Sequence, residues 1–153
     1  MPAQKLKKFL DESDVKYMSF VHSPAYSAQE VAASVRIAGK QLAKTVIVKM
    51  DGKFAMVVLP ANRKVVLQDL REVTGCEHLV FATESEFKNL FPDCEIGAMP
   101  PFGNLYGMDV FVAESLEQNE EIAFNAGTHT EVIRMAYKDF DSMVKPKAMS
   151  FTT

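Results

Sequence analysis

Residues 43–60 read AKTVIVKMDGKFAMVVLP and hold the clearest structural signal in the chain. Two runs rich in β-branched and aliphatic residues flank the pair Asp51-Gly52, and both members of that pair tolerate the positive φ of a type I′ turn. The pattern therefore predicts a two-residue β-hairpin, whose turn sets the register of the strands. The predicted opposite pairs are Met50 with Lys53, Val48 with Ala55, Val46 with Val57, and Lys44 with Leu59.

The hairpin places the ammonium group of Lys44 on an apolar strand face. Because side chains alternate along a strand, Lys44 shares its face with Leu42, Val46 and Val48. A charge there must reach solvent along its stem, pair with a carboxylate, or point into a cavity that receives an anionic or polar ligand. A buried lysine can also act as a nucleophile or base. These alternatives stay open, whereas Lys49 lies on the opposite face near the strand end and can simply be solvated.

Periodicity and capping residues predict further elements around the hairpin. Helices are expected from the N-terminus to Ser13, from Ser27 to about Arg36, over 67–74, from Thr83 to Pro92, and over 137–145, where the last closes the chain. Strands are expected over 15–21, 78–82, 106–116, 121–127 and 130–137. The Gly- and Pro-rich stretch 95–104 is predicted to be a loop. Several antiparallel strands among unequal helices favour an α+β fold over a doubly wound sheet.

The composition limits the class of protein. With 153 residues, of which 48% are hydrophobic, the chain is expected to form a single globular domain over 1–153 with a core of its own. It lacks the roughly 20-residue apolar run of a membrane helix and an apolar signal segment, so we expect a cytoplasmic protein. Cys76 and Cys94 have neither CxxC nor histidine spacing and are expected to be reduced, partly buried thiols.

The net charge of −3 argues against nucleic-acid binding over the whole surface, because phosphate neutralisation needs an excess of Lys and Arg. A nucleic-acid partner would have to be held by a local basic patch or by its chemically distinctive end. The candidate patches are Lys5, Lys7 and Lys8 near the start and Lys138, Lys145 and Lys147 near the finish. Taken alone, each patch is better explained as ordinary solvated charge.

Three further segments carry candidate chemistry. In GAMPPFG (97–103) a glycine precedes rigid prolines, so its bare backbone can offer N–H groups to a carbonyl or oxyanion, although the same residues suit a tight connection. NAGTHT (125–130) can hydrogen-bond a ligand or simply join two strands. HSPAY (22–26) holds a histidine of a kind that is more often structural than catalytic. HExxH, P-loop and GxSxG motifs are absent, which argues against zinc hydrolases, NTPases and α/β-hydrolases.

In this order and spacing the segments resemble the YbaK/ProX family, free-standing relatives of the editing domain inserted in bacterial prolyl-tRNA synthetases. The matching residues are His22, Tyr26, Glu30-Val31-Ala32, Leu42 to Val46, Gly97-x-x-x-Pro101 and Asn125-Ala126-Gly127. The resemblance runs from about residue 15 to 144. It implies an α+β fold with a central, mostly antiparallel, barrel-like sheet surrounded by short helices.

The resemblance also implies an activity, which is hydrolysis of the ester between a wrongly attached amino acid and the 3′-terminal adenosine of tRNA. Lys44 matches the family lysine thought to position the tRNA end through its phosphate, and Gly97 would hold the ester through its backbone amide. The expected substrate-binding residues are His22, Tyr26, Ala98, Met99, Pro101, Phe102, Asn125, Gly127, Thr128 and His129. No cofactor, metal, membrane or DNA is implied; an aminoacyl-tRNA synthetase is a candidate second partner.

The expected mechanism is attack of water on the aminoacyl ester, with N–H groups around Gly97 to Met99 meeting the developing oxyanion. Because no side chain is an obvious general base, the hypothesis is assistance from the ribose hydroxyl of the substrate. The segment 124–135 looks closer to subgroups acting on small residues, but several relatives carry serine in place of Asn125, which leaves Ala, Ser, Thr, Cys and Pro open. The alternatives are a non-catalytic module that docks on tRNA or a synthetase, and hydrolysis of a smaller ester without tRNA.

Overall fold

The computed structural model describes residues 4–22 and 37–153. Within them the helices are α1 Gln4–Glu12, α2 Leu67–Thr74, α3 Glu84–Phe87, α4 Glu114–Glu117 and α5 Tyr137–Val144. The strands are β1 Tyr17–Val21, β2 Leu42–Met50, β3 Lys53–Pro60, β4 Leu79–Phe81, β5 Asp109–Ala113, β6 Glu121–Asn125, β7 Glu131–Ala136 and β8 Lys147–Met149. A 3₁₀ helix, Gly103–Tyr106, precedes β5. The predicted helix from Ser27 to Arg36 and the predicted site residue Tyr26 lie outside the described residues.

The eight strands of the described chain form one sheet in the order β1-β7-β6-β2-β3-β5-β8, with β4 also paired to β2. The pairs β1 with β7, β6 with β7, β2 with β3 and β2 with β4 are antiparallel. The pairs β2 with β6, β3 with β5 and β5 with β8 are parallel. The predicted α+β fold with a central, mostly antiparallel sheet and short helices is confirmed. None of the helices described is both long enough and apolar enough to cross a membrane.

The hairpin predicted over 43–60 is present in the predicted register. The two turn residues both have positive φ, 50° at Asp51 and 86° at Gly52, as the type I′ turn requires. The observed partners are Met50 with Lys53, Val48 with Ala55, Val46 with Val57, and Lys44 with Leu59. Strand β2 thereby becomes the centre of the sheet, with β3, β4 and β6 as hydrogen-bonded neighbours.

The two faces of β2 contact different parts of the core. Ala43 and Ile47 belong to the main apolar cluster on one face. On the other face Leu42 packs in a small cluster, while Val46 and Val48 pack in a separate one. Because side chains alternate, Lys44 lies between these two clusters. The backbone of β2 therefore carries a half-buried cation into apolar surroundings.

The structure corrects several predicted boundaries. The capping box at Thr83 is present, but its helix ends at Phe87 rather than at Pro92, because tight turns such as Leu90 N–H to Phe87 O (2.9 Å) replace the helical pattern. Residues 114–116, expected at the end of a strand, lie in α4. The loop predicted over 95–104 ends at 102, since its last two residues begin the 3₁₀ helix.

The C-terminal helix does not close the chain. It ends at Val144, because the capping residue Lys145 has a φ of 53° that turns the backbone out of the helix, and Pro146 cannot continue it. The chain then adds β8 beside β5. This strand was missed because its three residues, two exposed and one half-buried, carry no alternating pattern.

Candidate active site

Two loops meet at one edge of the sheet, and we refer to them as the Gly97 loop (residues 95–101) and the Asn125 turn (residues 125–130). The amide of Glu95 donates to the carbonyl of Gly127 at 2.8 Å, and the amide of Gly127 donates to the carbonyl of Ala98 at 2.9 Å. These reciprocal bonds join two segments that are distant in the sequence. The structure thus brings together two of the three predicted chemical segments.

His129 and Glu95 strengthen the connection between the two loops. The backbone N–H of His129 donates to Glu95 Oε1 at 2.7 Å, and His129 Nε2 lies 2.8 Å from the carbonyl oxygen of Ile96. Because a carbonyl only accepts hydrogen bonds, this contact requires the proton on Nε2. The imidazole is 9% exposed. It therefore supports the Gly97 loop from the inside and has its Nε2 engaged there.

Gly97 combines exposure with an unusual backbone conformation. Its φ is 87°, in the left-handed region that disfavours a side chain, and an added Cβ would lie 3.4 Å from Cε1 of the His129 ring. Its N–H donates to the thioether sulfur of Met99 at 3.3 Å, and sulfur is a weak acceptor. By contrast, the N–H of Ala98 already donates to the carbonyl of Glu95 at 3.1 Å. Of these two amides, that of Gly97 is the one more easily turned to a ligand.

The residues that follow Gly97 turn into the protein. Ala98 and Phe102 are 0% exposed and Met99 is 5% exposed, and Pro101 is also buried. The ring of Phe102 lies 5.5 Å from that of Phe124 and packs on two further core aromatics. As placed, the Phe102 side chain serves packing rather than substrate contact. The segment 98–102 anchors the loop and leaves Gly97 at its surface.

Lys44 approaches the Asn125 turn through the parallel pairing of β2 with β6. The observed pairs are Leu42 with Ala123 and Ala43 with Phe124, so the next residue on each strand, Lys44 and Asn125, faces the side of the sheet on which Leu42 and Ala123 pack. Burial lowers the pKa of Lys44, and the positive charge of Lys64 lowers it further. None of the ion pairs found among residues 4–22 and 37–153 includes Lys44.

Asn125 contributes a side-chain oxygen that is able to accept a further hydrogen bond. Its Oδ1 is buried and has no hydrogen-bond partner within the described part of the chain. A buried acceptor of this kind costs free energy unless a donor reaches it. Directly after Gly127, the hydroxyl oxygens of Thr128 and Thr130 lie 3.1 Å apart. The turn therefore presents polar groups beside an acceptor that a ligand can satisfy.

His22 lies at the same edge of the sheet. Its backbone N–H donates to the carbonyl of Thr130 at 2.8 Å, directly after β1 ends at Val21. The structure thus brings His22, Gly127, Thr128, His129 and the Gly97 loop together. Glu95 was missed by sequence reasoning, because its hydrogen-bond partner His129 is distant in the sequence and no local pattern connects the two residues.

The cysteines stand apart from this chemistry. Both are free and half-buried. Burial is the main cause that raises the pKa of the Cys94 thiol to about 11, so this thiol stays protonated at neutral pH and is a poor nucleophile. Across the two described ranges, no group of three or more His, Cys, Asp and Glu side chains is arranged to hold a metal ion.

Comparisons with known proteins identify a family and several relatives that the chain resembles. The profile of a family described as the aminoacyl-tRNA editing domain matches residues 22–143. The chain is 25% identical to the multifunctional Ser/Thr-tRNA deacylase ProXp-y of Escherichia coli (strain K12) over 154 residues, covering 97% of the chain and 91% of that protein.

Two further similarities concern a larger enzyme and a solved structure. The chain is 30% identical to the proline–tRNA ligase of Bacillus mycoides (strain KBAB4) over 94 residues, which is 61% of the chain but only 16% of the ligase. The crystal structure of hypothetical protein APE2540 superposes with a TM-score of 0.88 at 16% identity, covering 98% of the chain and 100% of that protein. This last similarity concerns the fold alone.

Proposed function

Because the chain belongs to the aminoacyl-tRNA editing domain family, and is therefore a hydrolase acting on aminoacyl-tRNA esters, we propose that it works in trans on the 3′ end of tRNA carrying a small amino acid. Family membership confirms the resemblance drawn from the sequence. The proposal concerns the substrate and the residues that act on it. Lys44 and Gly97 have the central roles.

The observation that carries the proposal is the Gly97 amide. Gly97 is exposed, whereas the residues that follow it in the loop are buried, and among the described residues only a thioether sulfur accepts from its N–H. A hydrolytic transition state places negative charge on the former carbonyl oxygen, and a preorganised N–H stabilises that charge. Met is flexible enough to withdraw its sulfur when a substrate oxygen arrives. The Gly97 N–H is therefore our candidate oxyanion donor.

Lys44 supplies the candidate contact to nucleic acid. Lys44 is half-buried on an apolar face. None of the ion pairs among the described residues includes it. A cation kept in such surroundings favours an anionic ligand, and the tRNA end offers phosphates. Contact with the tRNA end through a single lysine is consistent with the net charge of −3, because a protein that binds tRNA over a wide surface needs an excess of positive charge.

Asn125 supplies the candidate contact to the amino acid. Its buried Oδ1 can accept a hydrogen bond from the hydroxyl of serine or threonine. Thr128, on the same turn, can serve as a second partner. A site that hydrogen-bonds a substrate hydroxyl rejects an analogue lacking it more strongly than a purely apolar pocket would. The similarity to a Ser/Thr-tRNA deacylase supports this choice among the small amino acids.

The chemical step needs no side-chain base. The oxygen of water bonds to the ester carbonyl carbon, the bond from that carbon to the ribose oxygen breaks, and the proton of water passes to the departing ribose oxygen. His129 is not positioned as the base at Nε2, which is held by the carbonyl of Ile96. The neighbouring ribose hydroxyl of the substrate is our candidate to guide the water. A tRNA ending in 2′-deoxyadenosine should be deacylated far more slowly, and an unchanged rate would contradict this step.

The test of the function is a deacylation panel. tRNAs charged with Ala, Ser, Thr, Cys and Pro are incubated with the wild-type protein, with Lys44→Ala and with Lys53→Ala. The last variant removes an exposed lysine at the hairpin turn, remote from the site. Hydrolysis by the wild type and Lys53→Ala at similar rates, and much slower hydrolysis by Lys44→Ala, is expected. Binding without hydrolysis of any member would instead favour a non-catalytic module.

A further inference from the structure

A second lysine approaches the end of β2 that carries Lys44. The segment 61–64 follows β3, and we call it the Lys64 loop. Its first amide, Ala61 N–H, donates to the carbonyl of Leu42 at 2.7 Å. The loop therefore begins beside the start of β2, two residues before Lys44. Ala61 is buried, whereas Lys64 is exposed.

The segment 151–153 holds the backbone of the Lys64 loop. Thr153 N–H donates to the carbonyl of Lys64 at 3.0 Å, and Lys64 N–H donates to Thr153 Oγ1 at 3.2 Å. Nearby, Val66 N–H donates to the carbonyl of Phe151 at 2.7 Å, and Phe151 is fully buried. The backbone of Lys64 is thus fixed on both sides, so its ammonium loses less conformational freedom on binding a ligand than it would from a free loop.

Val65, the residue after Lys64, packs in the same apolar cluster as Val46 and Leu59, on the sheet face of Lys44, and the positive charge of Lys64 lowers the pKa of Lys44. Like charges held together destabilise the folded chain unless an anion lies between them. In the described ranges no ion pair includes either lysine. Within residues 4–22 and 37–153 the two cations therefore lie on one face of the sheet, and neither forms an ion pair with a carboxylate, which is an arrangement that suits an anion.

We propose that Lys64 and Lys44 together bind a single phosphate at the 3′ end of the substrate tRNA. This inference rests on the proposed function, and it adds Lys64 as a substrate-binding residue. Lys44 is half-buried in the sheet and Lys64 lies on a fixed loop. The two ammonium groups can therefore contact a phosphate from different sides. Its two non-bridging oxygens can then each accept from one ammonium group.

The experiment compares two substrates and three variants. The substrates are seryl-tRNA and seryl-adenosine, which carries the same ester but no phosphate. The variants are Lys64→Ala, Lys64→Arg, and Lys53→Ala as the matched exposed lysine on β3. For seryl-tRNA, Lys64→Ala should raise KM about tenfold with little change in kcat, Lys64→Arg should restore most of the loss, and the salt slope of kcat/KM should fall by about 0.7. For seryl-adenosine, Lys64→Ala should match Lys53→Ala.

Equal KM values for Lys64→Ala and Lys53→Ala on seryl-tRNA would overturn the two-lysine site. So would an equal rise in KM for the substrate without phosphate. If the wild type deacylates no charged tRNA, the proposed function fails, and the lysine pair is then judged by fluorescence anisotropy with an uncharged RNA hairpin ending in CCA. Weaker binding by Lys64→Ala than by Lys53→Ala would support the pair, and equal binding would overturn it.

Discussion

The two ends of β2 carry lysines in opposite situations. Lys49 lies 2.7 Å from the carboxylate of Glu86 and 5.8 Å from the centre of the Phe54 ring. Lys44 is half-buried, belongs to none of the described ion pairs, and has its pKa lowered by burial and by Lys64. The first cation is paired within the fold, while we propose that the second gains its partner from a bound anion. Under this proposal, the lysine at one end of the strand contributes to stability and the lysine at the other end contributes to substrate recognition.

The contrast is tested most directly by removing each lysine. Lys44→Ala should reduce kcat/KM on aminoacyl-tRNA about a hundredfold, which corresponds to one lost charge-assisted contact of about 2–3 kcal/mol. Because it removes a poorly solvated charge, it should not lower the free energy of unfolding. Lys49→Ala should have the reverse profile, with activity within a few-fold and a small loss of stability. Deacylation kinetics and urea unfolding measure the two quantities, and matching profiles for both variants would refute the distinction.

Two glycines extend the comparison to the backbone. Gly97 and Gly75 have φ values of 87° and 73°, but Gly75 ends α2 and an added Cβ there would meet nothing. Alanine at either position should cost about 1–2 kcal/mol of stability through the left-handed conformation. Only Gly97→Ala should also lower kcat, about a hundredfold, because the shifted amide no longer meets the oxyanion. Chemical unfolding and kcat for the two variants test this, and an equal loss of kcat would remove the proposed donor role.

Asn125 provides a smaller effect on selectivity. Asn125→Ala removes the unpartnered Oδ1 and should reduce kcat/KM for seryl-tRNA about tenfold while leaving alanyl-tRNA little changed. The ratio of the two specificity constants is the measurement. Asn125→Asp is the matched control, since it keeps an acceptor at the position of Oδ1. A proportional loss on both substrates would show that the residue does not read the hydroxyl.

The smallest expected effect concerns the ion pair between Lys49 and Glu86 at the second end of β2. Hydrogen bonds from Lys49 and from Thr83 lower the pKa of Glu86 from 4.5 to about 2. Because the pKa is lower in the folded state, this carboxylate contributes stability that is complete above about pH 4.5 and is lost as the pH falls towards 2. Glu86→Gln should therefore flatten this part of the pH dependence of unfolding. A profile unchanged from the wild type would show that the pair contributes nothing measurable.

Local chemistry explains which features could be predicted. The hairpin register followed from the turn pair Asp51-Gly52, and α2 has the bounds predicted for it, 67–74. The contact between Glu95 and His129 joins residues 34 positions apart, and that between Lys49 and Glu86 joins residues 37 apart. Such pairs depend on how distant elements pack, so no local pattern reveals them.

The candidate site also contains features that local sequence patterns do not reveal. The Gly97 loop and the Asn125 turn were both recognised as chemical segments, but their mutual hydrogen bonds were not. Phe102 was expected at the substrate and lies in the core. In an irregular segment rich in Gly and Pro, no fixed period indicates which side chains point inwards. Tyr26 stays a prediction.

The hydrogen bonds that join the Gly97 loop to the Asn125 turn have a consequence for how such a protein can change its substrate. The element proposed to promote hydrolysis and the element proposed to choose the amino acid are linked at both backbone and side-chain level. Substituting one segment from a relative with another preference disturbs the other. We therefore expect substrate selectivity and catalytic rate to change together. An exchange of selectivity between two relatives should succeed only when the Gly97 loop and the Asn125 turn are replaced at the same time.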